Sequence, residues 1–569
     1  MQSTEKFMLH HYPKLSKLPK RIRSKLFRTL EGLFHEKEIN SFLENNSHKD
    51  LFGFIEAVLE YFNISIGVKQ QELERIPSYG KVVIIANHPL GALDSLALID
   101  VVKDVRKDIK VVANSFLSQF ENLSDILISV DNIKNKTDKK AIMEIYEALN
   151  KQQAVIIFPS GEVSRAKLNG IKDTKWRSGF LKIAKKTQSP ILPIYIKAKN
   201  SKMFYMLSWV NKSVATATLP HEMFKSFKKN IDFRIGNPIA FETYNINGLD
   251  IDKNVKLIKK HFYKIAKGKK EIFETQNPIA HAEQRQDIKQ AIKNATLLGK
   301  TFDNKQILLY DTDKEDSIIK EIGRLREISF RFVGEGSGKR RDVDEFDRYY
   351  KHIIVWDDEA LEIAGAYRIG IGSEILKEKG FDGLYTSKLF NFSDAFKDIA
   401  NLGVELGRSF VQPKYWNSRA LDYLWQGIGA FLKTNPDIRY LFGAVSISDT
   451  FNDIAKAMMI DFYTNYFGAK TNIVTHKYPY IFLPEHTDMC KKVFVYNDYK
   501  KDLQALKDEL GVFNLTIPTL YKQYSELCED GGVKFYDFGL DVDFGNCIDG
   551  FIVADITLIK DSKRKRYLE

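Results

Sequence analysis

His88 and Asp94, with five residues between them, form the pair in this chain best suited to proton transfer. A neutral imidazole can take a proton from a hydroxyl, and a nearby carboxylate can orient the ring and stabilise its charged form. The pair follows Val82-Val83-Ile84-Ile85-Ala86, an apolar, β-branched run that reads as a buried strand. Pro89 bars further ladder pairing and Gly91 permits a tight loop, after which Ser95 to Val102 resumes as a helix. A second strand, Ala154 to Phe158, ends at Pro159-Ser160-Gly161-Glu162. There Gly161 lets backbone approach a ligand, and exposed amides can hold an oxyanion. A third constellation gathers charge. Arg326 and Phe330 share a helix face, followed by Asp342, Asp344, Asp347, His352, Arg368, Glu405 and Arg408. Charges inside apolar strands are costly unless matched. The residues alone leave two readings open: a structural ion-pair network of Asp344, Asp347, Arg368, Glu405 and Arg408, or a site for the amine and carboxylate of an amino acid.

The elements that must position these groups alternate. Strands are expected at 109–113, 126–130, 154–158 and 190–196, with helices at 95–102, 139–149 and 179–186. This is the pattern of a mainly parallel sheet with right-handed crossovers. Residues 50–68 are apolar and fit either a core helix or a membrane-contacting element. Residues 265–295 are polar and helical in character, and a boundary is placed near Pro278. Three segments follow: 1–45, a basic amphipathic stretch; 46–278; and 279–569, which starts a new α/β pattern. Residues 560–566 are expected to form a frayed basic tail.

A chain of 569 residues holds two or three domains. Its 44% hydrophobic and 28% charged content is that of a globular protein. Cys490, Cys528 and Cys547 lie far apart, without metal spacing or even pairing, and read as reduced thiols in the cytoplasm. Neither a secretory signal nor an apolar run of spanning length is expected, so any membrane role would be peripheral. The net charge of +12 is uneven. Residues 1–280 carry 46 Lys and Arg against 29 Asp and Glu, an excess of +17, while residues 281–569 carry 40 against 45, or −5. From Pro13 to Arg28 there is no acidic residue, as suits a helix lying on anionic lipid. An anionic partner of the first half is implied, either membrane lipid or acyl carrier protein. Nucleic acid is disfavoured, because no aromatic-basic interleaving or known motif accompanies the charge.

The Asn87-His88-Pro89-Leu90-Gly91-Ala92-Leu93-Asp94 stretch resembles the His-acid motif of the glycerolipid O-acyltransferases, in the Asn-His-Pro-x-Gly-x-x-Asp form of their haemolysin-like branch. Phe158 to Glu162 resembles that family's Phe-Pro-Glu-Gly block, and Pro190-Ile191-Leu192-Pro193 its fourth block. The resemblance implies acyl transfer from a thioester to a hydroxyl. His88 would be the base and Asp94 would hold it. Asn87, Gly91, Phe158, Pro159, Ser160, Gly161 and Glu162 would line the substrate. Phosphate-accepting members carry an Arg that has no counterpart between Ile126 and Asn132, where Lys134 is the nearest cation. An acceptor without a phosphate is therefore expected.

The order of Arg326, Phe330, Asp344, Asp347, Arg368, Glu405 and Arg408 resembles the acyl-homoserine-lactone synthases. With Glu405-Leu406-Gly407-Arg408-Ser409, it more closely resembles the N-acyltransferases of ornithine lipid synthesis, over roughly residues 282–566. That implies an acetyltransferase-like (GNAT-like) α/β domain, with Glu405 as base or amine ligand and Arg368 or Arg408 on the amino-acid carboxylate. Residues 412–419 lack the paired glycines that hold a CoA pyrophosphate, which favours acyl carrier protein as donor over acyl-CoA. Lys414, Arg419, Arg340 and Arg341 would meet that acidic carrier. No bound cofactor or metal is implied. Together the halves resemble bifunctional ornithine lipid synthases, peripheral on the inner face of the cytoplasmic membrane. The second half would N-acylate ornithine with a 3-hydroxyacyl chain, and the first would O-acylate the resulting lyso-ornithine lipid. Alternatives are a lysophospholipid acyltransferase fused to an N-acyltransferase for glycine or lysine, and a membrane-binding scaffold with decayed sites.

Overall fold

A computed structural model describes residues 16, 19–33, 35–114, 121–130, 139–167 and 170–569. Most of the expected membrane segment before Pro19, and Lys134, lie outside the described residues. The chain divides into two compact units, Met1–His281 and Ala282–Glu569.

The first unit is built on a seven-stranded sheet. Its strands are β1 (Ser65–Gly67), β2 (Val82–Ala86), β3 (Ile109–Asn114), β4 (Leu127–Val130), β5 (Ala154–Ile157), β8 (Ile191–Lys197) and β9 (Asn230–Ile235). The intervening β6 (Arg165–Lys167) and β7 (Gly170–Lys172) form a separate hairpin. The order is β1-β9-β8-β2-β5-β3-β4, parallel throughout except where β9 runs against β8. In central β2, Val82, Ile84 and Ala86 join one apolar cluster and Val83 and Ile85 the other. That two-sided burial explains why the strand reads as a continuous apolar run rather than an alternating one. The Leu51–Tyr61 helix buries Phe54, Ile55, Ala57, Val58 and Leu59, so this stretch is a core helix.

The second unit holds an eight-stranded sheet of β10 (Thr296–Lys300), β11 (Gln306–Tyr310), β12 (Lys351–Asp357), β13 (Glu362–Ile371), β15 (Gly403–Val411), β16 (Tyr440–Ile447), β18 (Val533–Asp541) and β19 (Cys547–Asp555). The order is β10-β11-β12-β13-β15-β16-β19-β18. A two-stranded sheet pairs β14 (Phe390–Phe392) with β17 (Val474–His476). Within the large sheet only β15 and β16 run parallel, and their ladder stops after Glu405 and Phe442. Beyond that point β15 stays paired with β13 and β16 with β19, and the two central strands are no longer paired with each other. Opposite Tyr367, β15 carries a bulge in which Arg408 adopts φ 50°, a left-handed value that re-aims its side chain. Arg368 sits within β13.

Two expectations fail locally. Of residues 265–295, only Arg285–Ile292 forms a helix beyond the end of the Ile251–Ile265 helix. The basic C-terminus is not frayed. Asp561–Tyr567 is helical, with Arg566 Nη2 2.8 Å from Asp422 and the Tyr567 hydroxyl donating to the same carboxylate at 3.1 Å. Gly429 permits this packing, since a Cβ there would stand 1.9 Å from the Tyr567 carbonyl oxygen.

Candidate active sites

In the first unit the helix after the His88 loop begins at Ala92, not at Ser95, which places Asp94 in its first turn. Asp94 is fully buried. Its Oδ2 accepts the Leu90 N–H at 2.7 Å, and its Oδ1 lies 3.1 Å from His88 Nδ1. A carboxylate is favoured at a helix N-terminus, so one group closes the loop and aims the imidazole. Gly91, at φ 102°, makes the turn possible. Burial alone would push the His88 pKa down; the charge and hydrogen bond of Asp94, with Asp173 behind it, lift it above the ordinary value instead. Phe158 packs on the imidazole, with ring centroids 4.4 Å apart.

The other expected residues divide by role. Asn87 does not face a ligand: its amide donates to the Ile196 carbonyl at 2.9 Å and its oxygen accepts the Ile196 N–H at 2.7 Å, tying β2 to β8. Buried Ser160 donates to the Glu162 carbonyl at 2.7 Å, and Gly161, at φ 64°, is exposed at the tip of the turn. Buried Pro159 accepts the Arg177 N–H at 2.9 Å. Glu162 is half-buried.

Two residues that the motifs did not single out complete this site. Asp173 is fully buried, and its Oδ1 accepts from the Ser164 hydroxyl at 2.6 Å and the His88 N–H at 3.4 Å. Its Oδ2 accepts from Trp176 Nε1 at 2.8 Å. Its signal was compositional: it is the lone acid between Glu162 and Glu222, a stretch with twelve Lys and Arg. Arg165 is buried, its Nη2 donates to Thr216 Oγ1 at 2.9 Å, and its Nε and Nη1 have no partner among the described residues.

In the second unit most of the charged constellation closes on itself. Arg326 Nη1 donates to Asp347 Oδ1 at 2.8 Å, and Arg368 Nη1 donates to Asp344 at 2.6 Å and Asp347 at 3.2 Å. Asp344 and Asp347 also form a reciprocal cap on the 345–348 turn. Burial would raise the Asp347 carboxyl, but Arg326 and Arg368 hold it far below the carboxylate range. His352 is pushed down to about 4, chiefly by burial, and stays neutral. Phe330 packs edge-on against Phe544. Glu405 is not part of the ion-pair network. It is fully enclosed, accepting from the Tyr350 hydroxyl and from the Tyr385 and Thr386 N–H groups at 3.0 and 2.7 Å, so its carboxylate serves the 384–386 turn rather than an amine. The exposed cations expected to face a carrier protein are engaged: Lys414 with Glu362, Arg419 with Asp422 and Arg341 with Glu283, while Arg340 also has a partner.

Arg408 stands apart from that network. It pairs with Asp342 at 3.2 Å and lies 4.7 Å from the ring centroids of both Tyr385 and Phe544. Around it are Asp549, Asp541 and Glu335. Burial, then Asp541 and Glu335, raises the Asp549 carboxyl to about 8, and burial raises Glu335 to about 7. Asp541, Cys547 and Asp549 each bring one ligand atom within 4.8 Å of the others, the one such group among the described residues with cation-binding geometry. Cys547 is pushed far up by burial, so it contributes a neutral thiol. Nothing in the residue pattern tied Asp549 to Arg408.

Residues 12–270 match a family described as Acyltransferase, and residues 325–426 match the Acetyltransferase (GNAT) domain. The glycine N(alpha)-acyltransferase of Phocaeicola vulgatus is 34% identical over 285 residues, covering 47% of this chain and 86% of that protein. The chain belongs to this acyltransferase family. The lyso-glycine lipid O-acyltransferase of the same organism is 28% identical over 224 residues, covering 38% of this acyltransferase and 79% of the relative. The L-ornithine N(alpha)-acyltransferase of Brucella abortus is 31% identical over 140 residues, covering 22% and 48%. No helix among the described residues of the acyltransferase is long and apolar enough to cross a membrane.

Proposed function

We propose that this acyltransferase builds a doubly acylated amino-acid lipid in two steps, from acyl thioesters carried by acyl carrier protein. In the second unit an α-amine displaces the thiol of a 3-hydroxyacyl thioester and forms an amide. Asp549 takes the amine's proton, and Arg408 holds the amino-acid carboxylate. The position and raised proton affinity of Asp549 support this: it lies in the field of Arg408, and burial with Asp541 and Glu335 lifts its carboxyl to about 8, which makes it a stronger base than an ordinary carboxylate. In the first unit His88 Nε2, turned away from Asp94, takes the proton of the lipid's 3-hydroxyl as it attacks a second thioester; the C–S bond breaks as the ester forms, and the leaving thiolate takes that proton back from the imidazolium. Arg165, whose Nε and Nη1 have no hydrogen-bond partner among the described residues, meets the lipid's carboxylate, a role open to a guanidinium whether or not the acceptor carries a phosphate.

Glycine is the acceptor this reading favours, because the two P. vulgatus relatives named for glycine and lyso-glycine lipid each match over more than three quarters of their length. Ornithine is the second reading. It draws support from the B. abortus relative and from Glu335 and Asp541, which give a side-chain ammonium a counter-charge beyond the one an α-amine needs. The test is mass spectrometry of products formed from acyl-carrier thioester with labelled glycine or labelled ornithine. Labelled amide and amide-ester lipid from glycine alone supports the first assignment, and product from ornithine alone replaces it with the second. Absence of labelled lipid with either removes both.

A further inference from the structure

We propose that the Lys202–Val210 helix is the part of the first unit that docks into the headgroup layer of an anionic bilayer. The inference rests on the reading that the first unit's acceptor is a lipid. The helix is short and two-faced. Phe204, Tyr205 and Ser208 point inward, and Phe204 packs under the Arg165 guanidinium, 5.2 Å from its ring centroid. The opposite arc leaves Met203 57%, Met206 64%, Trp209 75% and Val210 87% exposed. At the helix's turn angle these four and Lys202 occupy one contiguous strip.

An apolar strip of this kind on a soluble face marks an interaction surface. Three observations select a lipid surface as its occupant. The residues are Trp, Met and Val, flanked at both ends by exposed Lys202 and Lys212, which is the composition of an interfacial helix. From residue 174 to residue 221 the sequence carries nine Lys and Arg and no Asp or Glu, although Lys175 and Lys197 pair with Asp252 and Asp232, so the helix belongs to a net basic stretch of the kind that suits anionic headgroups. The helix is also fixed to the ester-forming loop. Ser201 caps it by accepting the Phe204 N–H at 3.2 Å, and both oxygens of buried Glu222 accept from Ser201 at 2.8 Å. Buried Asn200 donates to the Pro89 carbonyl at 3.0 Å, one residue from His88. Docking here brings the loop and Arg165 to the level where a mono-acylated lipid presents its carboxylate and hydroxyl.

The test uses the full chain and vesicles of phosphatidylcholine mixed equally with phosphatidylglycerol, or of phosphatidylcholine alone. Lipids brominated high on the acyl chain are expected to quench Trp209, and the quenched component disappears in Trp209→Phe. Met206→Glu/Trp209→Glu is expected to lower partitioning to the mixed vesicles at least about tenfold, and Lys202→Glu/Lys212→Glu to weaken it about thirtyfold or more. Ester formation on a short-chain, water-soluble acceptor is expected to stay unchanged in both variants. Vesicle binding that persists in the Met206→Glu/Trp209→Glu protein, together with no quenching of Trp209 in the parent, overturns the assignment of this helix while leaving a lipid acceptor standing. Loss of self-association instead of vesicle binding in that variant also overturns it, by making the strip an interface between copies. Failure to esterify any long-chain lipid acceptor, with the soluble acceptor still turned over, removes the underlying reading.

Discussion

At the scale of single residues, the chemistry proposed for the first unit depends on how two carboxylates hold one imidazole. Asp94 supplies orientation and charge, and Asp173 fixes the His88 backbone and adds charge from behind. Both raise the His88 pKa, and a base must be neutral to act. Ester formation is therefore expected to rise with pH along a limb lying above the ordinary histidine value of about 6.5. Asp173→Asn should move that limb to lower pH with a modest loss of rate, whereas Asp94→Asn should cost about 10²-fold or more because the imidazole also loses its orientation. A pH profile of kcat/KM for both variants checks this. A limb that does not move in Asp173→Asn reduces that residue to a fold-holding role. Asp549 in the second unit runs in the opposite sense to an ordinary ion-paired acid. Its folded pKa is raised, so its contribution to stability is complete below the unfolded carboxylate value and is lost as pH rises towards about 8. Asp549→Asn removes that loss. Its Tm is expected to exceed the parent's by an amount that grows with pH, while amide formation falls about 10²-fold or more. A Tm gain without loss of amide formation would take Asp549 out of the chemistry.

At the scale of elements, the same types of residue serve two purposes, and sequence separates them unevenly. The His88 loop was legible because a β-branched strand, a proline and a glycine each constrain the backbone in ways that composition reveals. The start of its helix was not, because Asp94 sits in the first turn and reaches back to the loop at the Leu90 N–H, and a polar residue before an apolar run looks like the end of a loop. In the second unit the spacing of Arg326, Asp344, Asp347 and Arg368 was plain, but spacing says nothing about whether charges face each other or a ligand. The fold resolves it: these four neutralise one another, and Glu405 is enclosed by Tyr350, Tyr385 and Thr386. Arg408 escapes the network only because a bulge turns it, and no residue pattern announces a bulge. Arg368→Met is therefore expected to destabilise the second unit by about 3–5 kcal/mol, since it strands buried carboxylates without a counter-charge. Urea unfolding followed by fluorescence measures it, and KM for the amino acid in the folded fraction should stay near that of the parent. Asn87→Ala is expected to cost about 2–4 kcal/mol by leaving both polar groups of Ile196 without a partner.

At the scale of the whole molecule, the proposed function puts an amide-forming and an ester-forming site on one chain, so the two would always be present in equal number. The product of one would be the acceptor of the other, so each can be interrupted alone. His88→Ala should stop at the mono-acylated lipid, since losing a general base costs about 10²–10⁴-fold. Asp549→Asn should make neither lipid from free amino acid, yet still esterify mono-acylated lipid supplied to it. A mixture of the two variants then discriminates how the intermediate travels. A lipid with one chain partitions into a bilayer reversibly, so it can leave one molecule and reach another on the same surface. The mixture is therefore expected to restore the doubly acylated product in the presence of anionic vesicles, at a rate that rises with the amount of each variant per unit of lipid area. If the mixture stays blocked while each variant alone shows its single remaining activity, the intermediate never leaves the chain that made it, and the bilayer is not the medium through which the two reactions are joined.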